Sequence, residues 1–169
     1  MTRRLLVTVA LVVAAAALQT TLFARIRPLD AAPALGVLIV IAVARHLPPE
    51  LAVLVGFLAG LLDDLLSETP LGLWSLVLTT VAFVVVRFRE RMEDDFTLIA
   101  PLVFVFSFGA LALFAVLGTI FGEKTLADAG LVRKMLLPSA YNVLLAAVVL
   151  PATTRLLGAQ RRRGAAFEL

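Results

Sequence analysis

Three carboxylates stand close together in this chain. Asp63 and Asp64 are adjacent, Glu68 follows within one helical turn, and Ser67, Thr69 and Pro70 complete a polar stretch with no basic residue in it. Adjacent aspartates can hold Mg²⁺ and, through it, a phosphate, as prenyl or phosphoalcohol chemistry would need. Such a site also needs a second carboxylate cluster and phosphate-binding bases, and no other apolar run of the chain contains an Asp-rich motif. Carboxylates in apolar surroundings can also carry protons through a transporter, but the remaining apolar runs offer little besides Thr79, Thr80, Ser107 and Asn142. Acids that close a helix oppose its macrodipole and require a partner or water. The expectation is therefore a capped, hydrated helix end in which one acid pairs with a neighbouring group.

Nucleophilic catalysis has fewer resources still. The chain has 0 Cys and 1 His. His46, between Arg45 and Leu47, sits at the edge of an apolar run and reads as an interfacial residue rather than the base of a Ser-His-Asp or Cys-His set. No phosphate-cradling glycine loop of the Walker type occurs. No catalytic residue, cofactor or metal is expected.

The elements that carry these residues follow from composition. Of 169 residues, 62% are hydrophobic and 16% charged, against roughly 45–50% and 25% in soluble domains. A body of this size cannot hide so much apolar surface from water, so the bilayer is the solvent. Disorder, a collagen-like fibre, a soluble enzyme and a disulfide scaffold are excluded. The net charge of +3 arises from bases lying between apolar runs, which makes them topology signals rather than a nucleic-acid footprint.

Six apolar runs follow one another. The first, Leu5 to Ala24, is about 30 Å as a helix and can span. Arg3 and Arg4 before it also fit a cleaved signal or a twin-arginine export signal, but the apolar character continues beyond any cleavage point and further runs follow. The second, Ala34 to Ala44, is about 16 Å long, or about 25 Å if extended from Ala31 to Leu47 with Arg45 snorkelling. The third opens after Pro48-Pro49, suited to a first helical turn, and runs from Leu51 to Leu62. These two are short for a crossing and could form a re-entrant pair, which leaves the parity unchanged. The fourth (Leu71 to Val86), fifth (Leu98 to Phe121) and sixth (Met135 to Leu157) are secure spans. With the N-terminus inside, ten basic residues fall on the cytoplasmic side and five outside, so both termini are expected in the cytoplasm. Trp74 and Tyr141 then both lie toward the outer interface.

Small residues mark close helix packing. Gly56 and Gly60 are four apart, as are Gly118 and Gly122, and Ala10, Ala14, Ala15, Ala16 and Ala17 form a smooth stripe on the first helix. Gly56 and Gly60 are expected to pack within the chain. Phe104 and Phe108, also four apart, read as packing or lipid-facing bulk. The segment Arg87-Phe88-Arg89-Glu90-Arg91-Met92-Glu93-Asp94-Asp95 is a charged connector in which Arg89 with Glu93 and Arg91 with Asp95 are i, i+4 pairs; it could also dock a partner by charge.

The stretch from Pro49-Glu50-Leu51 through Gly56-Phe57-Leu58-Ala59-Gly60-Leu61-Leu62-Asp63-Asp64, on through Pro70-Leu71-Gly72-Leu73 to Val86-Arg87, resembles the rod shape-determining protein MreD family. A glycine-rich helix, an aspartate and a Pro-Leu-Gly opening of the next helix carry the resemblance, and chain length and the short second and third runs extend it over nearly the whole chain. The doubled aspartate leaves open which acid corresponds to the family's single one. The resemblance implies an all-α integral membrane protein of about six transmembrane helices in one polytopic domain, similar to the substrate-binding subunits of energy-coupling-factor transporters. It implies a non-enzymatic subunit of the wall-elongation machinery in the cytoplasmic membrane. Its partners would be MreC and, indirectly, MreB, RodA and a class B penicillin-binding transpeptidase. Gly56, Gly60, Asp63, Asp64, Gly72, Arg87, Ala10 and Ala14 are the candidate packing and partner residues. The rival is a vitamin or small-molecule transporter subunit docking its partner through the Ala10 and Ala14 stripe; against it, the outer loops hold few aromatic or hydrogen-bonding groups beyond Trp74.

Overall fold

The computed structural model describes residues 2–23, 25, 31–67, 69–89, 96–123 and 125–158. Within them the chain is all-helical: Thr2–Thr21 (α1), Leu35–Ala44 (α2), Pro49–Leu66 (α3), Leu73–Phe88 (α4), Phe96–Ile120 (α5) and Leu131–Thr153 (α6), the last continuing into a π-helical turn, Thr154–Gly158. Each apolar run of the sequence has become one helix.

Length and polarity divide the six. Arg3–Thr21, Thr97–Ile120 and Leu131–Leu157 are long and apolar enough to cross a membrane, whereas α2 and α4 are apolar but shorter. Helix α3 reaches 18 residues and carries Glu50, Asp63 and Asp64. It runs past the acids to Leu66, so Asp63 and Asp64 lie inside its final turns instead of following its end. The Ser67 hydroxyl donates to the Asp63 carbonyl and closes the helix, one of the C-terminal acceptors that every helix must satisfy.

The shortest helix is the centre of the bundle. A helix that is apolar all round has no face for solvent, and α2 buries Leu35, Val37, Leu38, Ile39, Val40, Ile41, Ala42, Val43 and Ala44, packing against all five other helices. At about 15 Å it covers half a hydrocarbon thickness. At least one of its ends therefore falls at membrane depth, where backbone groups without helical partners are tolerated only when surrounded by protein. Longer helices supply that surround.

Helices α3 and α4 form the closest pair. A Cβ on Gly56 would meet the Leu78 carbonyl oxygen at 2.7 Å and the Ala82 Cβ at 2.8 Å, and one on Gly60 would strike the backbone of Trp74 and Ser75. Only glycine lets the two backbones approach this far. The pairing of Gly118 with Gly122 is different from a packing face: Gly122 has φ +93° and lies past the end of α5. The Glu123 N–H donates to the Gly118 carbonyl at 2.9 Å and the Gly122 N–H to that of Thr119 at 3.1 Å. That is a Schellman stop, for which a left-handed glycine is the usual residue.

Candidate functional site

The acids of α3 meet the start of α4. Asp64 is 2% exposed. Its Oδ2 accepts from the Gly72 N–H (2.9 Å), the Ser75 N–H (3.1 Å) and the Ser75 hydroxyl (2.9 Å), and its Oδ1 accepts from the Trp74 N–H at 2.8 Å. The first turn of a helix leaves N–H groups without partners and carries partial positive charge. No side chain at the start of α4 itself caps it; the cap comes from the preceding helix. The turn that brings it there depends on Gly72, whose φ of +97° is strained for other residues. The acid whose position at the end of α3 opposes one dipole is thus satisfied by the beginning of the next. Trp74 is held at the same point and stacks on Phe114 of α5, ring centroids 4.4 Å apart.

Asp63, one residue earlier, points elsewhere. It lies against Gly36 in the first turn of α2, where a Cβ would collide with its carboxylate. That same end of α2 collects polar groups from three more helices. Gln19 Oε1 of α1 accepts from the Leu35 N–H (2.8 Å) and the Gly36 N–H (3.3 Å). Asn142 of α6 donates through Nδ2 to the Ala34 carbonyl and to the hydroxyl of Ser107 on α5, both at 3.0 Å. Helix α2 has no cap of its own, so α1 and α6 hold its first turn. Gln19, Ser107 and Asn142 are polar residues inside apolar runs, and that interruption is the sequence signal that finds them.

The opposite end of α2 is basic. Arg89, just past α4, donates from Nη1 to the Leu47 carbonyl at 3.0 Å, tying α4 to the connection between α2 and α3. His46 Nε2 and Thr154 Oγ1 are 3.4 Å apart. Arg87 is exposed in the last turn of α4, where a cation complements the dipole. The partners of the connector pairs, Glu93 with Arg89 and Arg91 with Asp95, lie outside the described residues. Ala10 and Ala14 are exposed on α1, while Ala15 and Ala16 turn into the core.

The structure thus brings Gly56, Gly60, Asp64 and Gly72 together in the α3–α4 hairpin, sets Asp63 on α2, and leaves Ala10, Ala14 and Arg87 on the surface. Asp64 is fully occupied as a hydrogen-bond acceptor, and no group of three metal-ligating side chains forms among the described residues. The family model of rod shape-determining protein MreD matches residues 1–157. The chain belongs to the MreD family. No curated protein and no solved structure matches it significantly. As an MreD-family chain it is an integral membrane protein of rod-shape determination.

Proposed function

We propose that this protein is a non-enzymatic subunit of the bacterial wall-elongation complex, one that binds MreC directly and acts through it on MreB, RodA and a class B penicillin-binding transpeptidase. Membership of the MreD family over residues 1–157 carries this reading. Two features support it. The buried polar side chains Asp64, Ser75, Ser107 and Asn142 are engaged in bonds between helices, which suits a fixed scaffold. The exposed Ala10 and Ala14 leave a smooth strip on α1 against which a partner's transmembrane helix would pack.

The bundle lies in the cytoplasmic membrane with both termini inside, as the twofold excess of bases on that side favours. An arrangement similar to that of energy-coupling-factor substrate-binding subunits belongs to the same proposal, supported by six helices built around a short second one. The test is affinity purification of the tagged full chain from mild-detergent membranes of its own host, followed by mass spectrometry. Recovery of the wall-elongation proteins is the expected result. Recovery of an ATPase pair with a coupling membrane subunit would overturn it in favour of a small-molecule importer.

A further inference from the structure

The two hairpins of the bundle differ in length. Helices α3 and α4 hold 18 and 16 residues, and polar groups trim what they offer to lipid: Glu50 and Arg87 stand inside the helices at one end, and Ser67, Glu68 and Thr69 follow at the other. The apolar stretches that remain, Leu51 to Leu66 and Leu71 to Val86, are each about 24 Å long. In α5 and in α6 with its π turn, Thr97–Ile120 and Leu131–Leu157 hold 24 and 27 residues, about 36 and 40 Å.

A hydrocarbon core is about 30 Å thick. The long pair fits it with a tilt of about 35–40°, the upper part of the range that transmembrane helices adopt. The short pair cannot fill it at any tilt, because tilting only reduces the reach of a helix. Nor do other helices shield the short pair from lipid: Leu54, Phe57 and Leu58 of α3 and Leu76 and Phe83 of α4 are exposed. Either the polar turn after α3 is drawn into hydrocarbon, or the lipid headgroups come down to meet it. Stripping water from hydroxyls and a carboxylate costs more than compressing a bilayer by a few ångström. We propose that this protein thins the bilayer on its α3–α4 side, gathering lipids of short acyl chain there, while its α5–α6 side stands in bilayer of ordinary thickness.

Quenching by brominated phosphatidylcholine reads the lipid next to a chosen tryptophan. Phe83 on α4 and Val105 on α5 are both exposed, so F83W and V105W place one reporter on each side, with the signal of the parent chain, whose one tryptophan is Trp74, subtracted. The full-length variants are reconstituted with the brominated lipid and a competitor, either dimyristoleoyl- or dierucoyl-phosphatidylcholine. At the F83W reporter the short-chain competitor should relieve quenching at least about twofold better than the long-chain one, whereas V105W should show no preference for the short chain. Leu76→Trp, exposed on the same helix as Phe83, should repeat the F83W result and replaces it if that variant misfolds. The same chain-length preference at both reporters, or a preference for the long chain on α4, would overturn the proposal. So would the absence of lipid quenching at both α4 reporters, since the hairpin would then be covered by protein.

Discussion

Asp64 and Asp63 are neighbours of identical chemistry with different tasks. Asp64 accepts four hydrogen bonds, three through Oδ2 and one through Oδ1, so both of its oxygens are needed. Asn at this position would replace one acceptor by an amide that points hydrogens at hydrogens. We expect D64N to lower stability by about 1–3 kcal/mol, the cost of leaving buried donors unmet. Asp63 faces a glycine and not a row of donors, and D63N should cost clearly less. Thermal unfolding of both variants in one detergent checks this; equal losses would remove the special role of Asp64. A second residue-scale prediction concerns the loop before α6. Asp128 is held below its ordinary value of 3.8 by the hydrogen bond from Lys134, and further by that from the Gly130 N–H. A carboxylate whose pKa is depressed on folding stabilises the fold above its unfolded pKa and loses that contribution as pH falls through the folded value. Amide exchange at Gly130 should therefore be unchanged from neutral pH down to about 4 once corrected for its intrinsic rate, and should accelerate only below that; D128N should abolish the acid step.

At the scale of the element, three glycines make distinguishable predictions. A methyl group at Gly60 would collide with the backbone of α4 and one at Gly56 with Leu78 and Ala82. Backbone cannot yield as a side-chain tip can, so G60A should destabilise by about 1–3 kcal/mol, as overpacking does, and G56A by a similar amount. Gly109, on an exposed face of α5, has nothing within 4 Å of an added Cβ. There the only change is conformational, and G109A should raise stability by about 0.5–1 kcal/mol. Melting midpoints measured side by side suffice. If G60A and G109A behaved alike, the close approach of α3 and α4 would not be a determinant of the hairpin.

For the whole molecule, the ordering of polar and basic residues along α2 predicts an orientation. The end held by Gln19 and Asn142 should face outward, and the end near Arg45, Arg89 and Arg155 should face the cytoplasm. The chain has 0 Cys, so single cysteines report position without background. In intact cells a membrane-impermeant maleimide should label L126C, in the loop between α5 and α6, and should reach E50C, at the start of α3, only after permeabilisation. The reverse pattern would invert the protein in the membrane.

Much of this fold is legible in the chain itself. Six apolar runs give six helices because helix formation in lipid is a local requirement: every backbone group must find its partner within its own segment. Pro49 opens α3, and Gly56 and Gly60 mark a close approach, for equally local reasons of backbone shape. The Gly118 and Gly122 spacing misled because two glycines four apart look the same on a helix face and across a helix end; only φ at Gly122 separates them. Other features are written nowhere along the chain. Apolarity says that α2 is buried but not that it is surrounded by all five other helices, and adjacency cannot tell that Asp64, not Asp63, reaches the donors of α4. Likewise Arg45 and Arg155, far apart in the sequence, come to line one cavity. Sequence periodicity specifies which residues leave water or lipid, whereas the identity of what they meet depends on distances between helices, and those are set only when the whole bundle has packed.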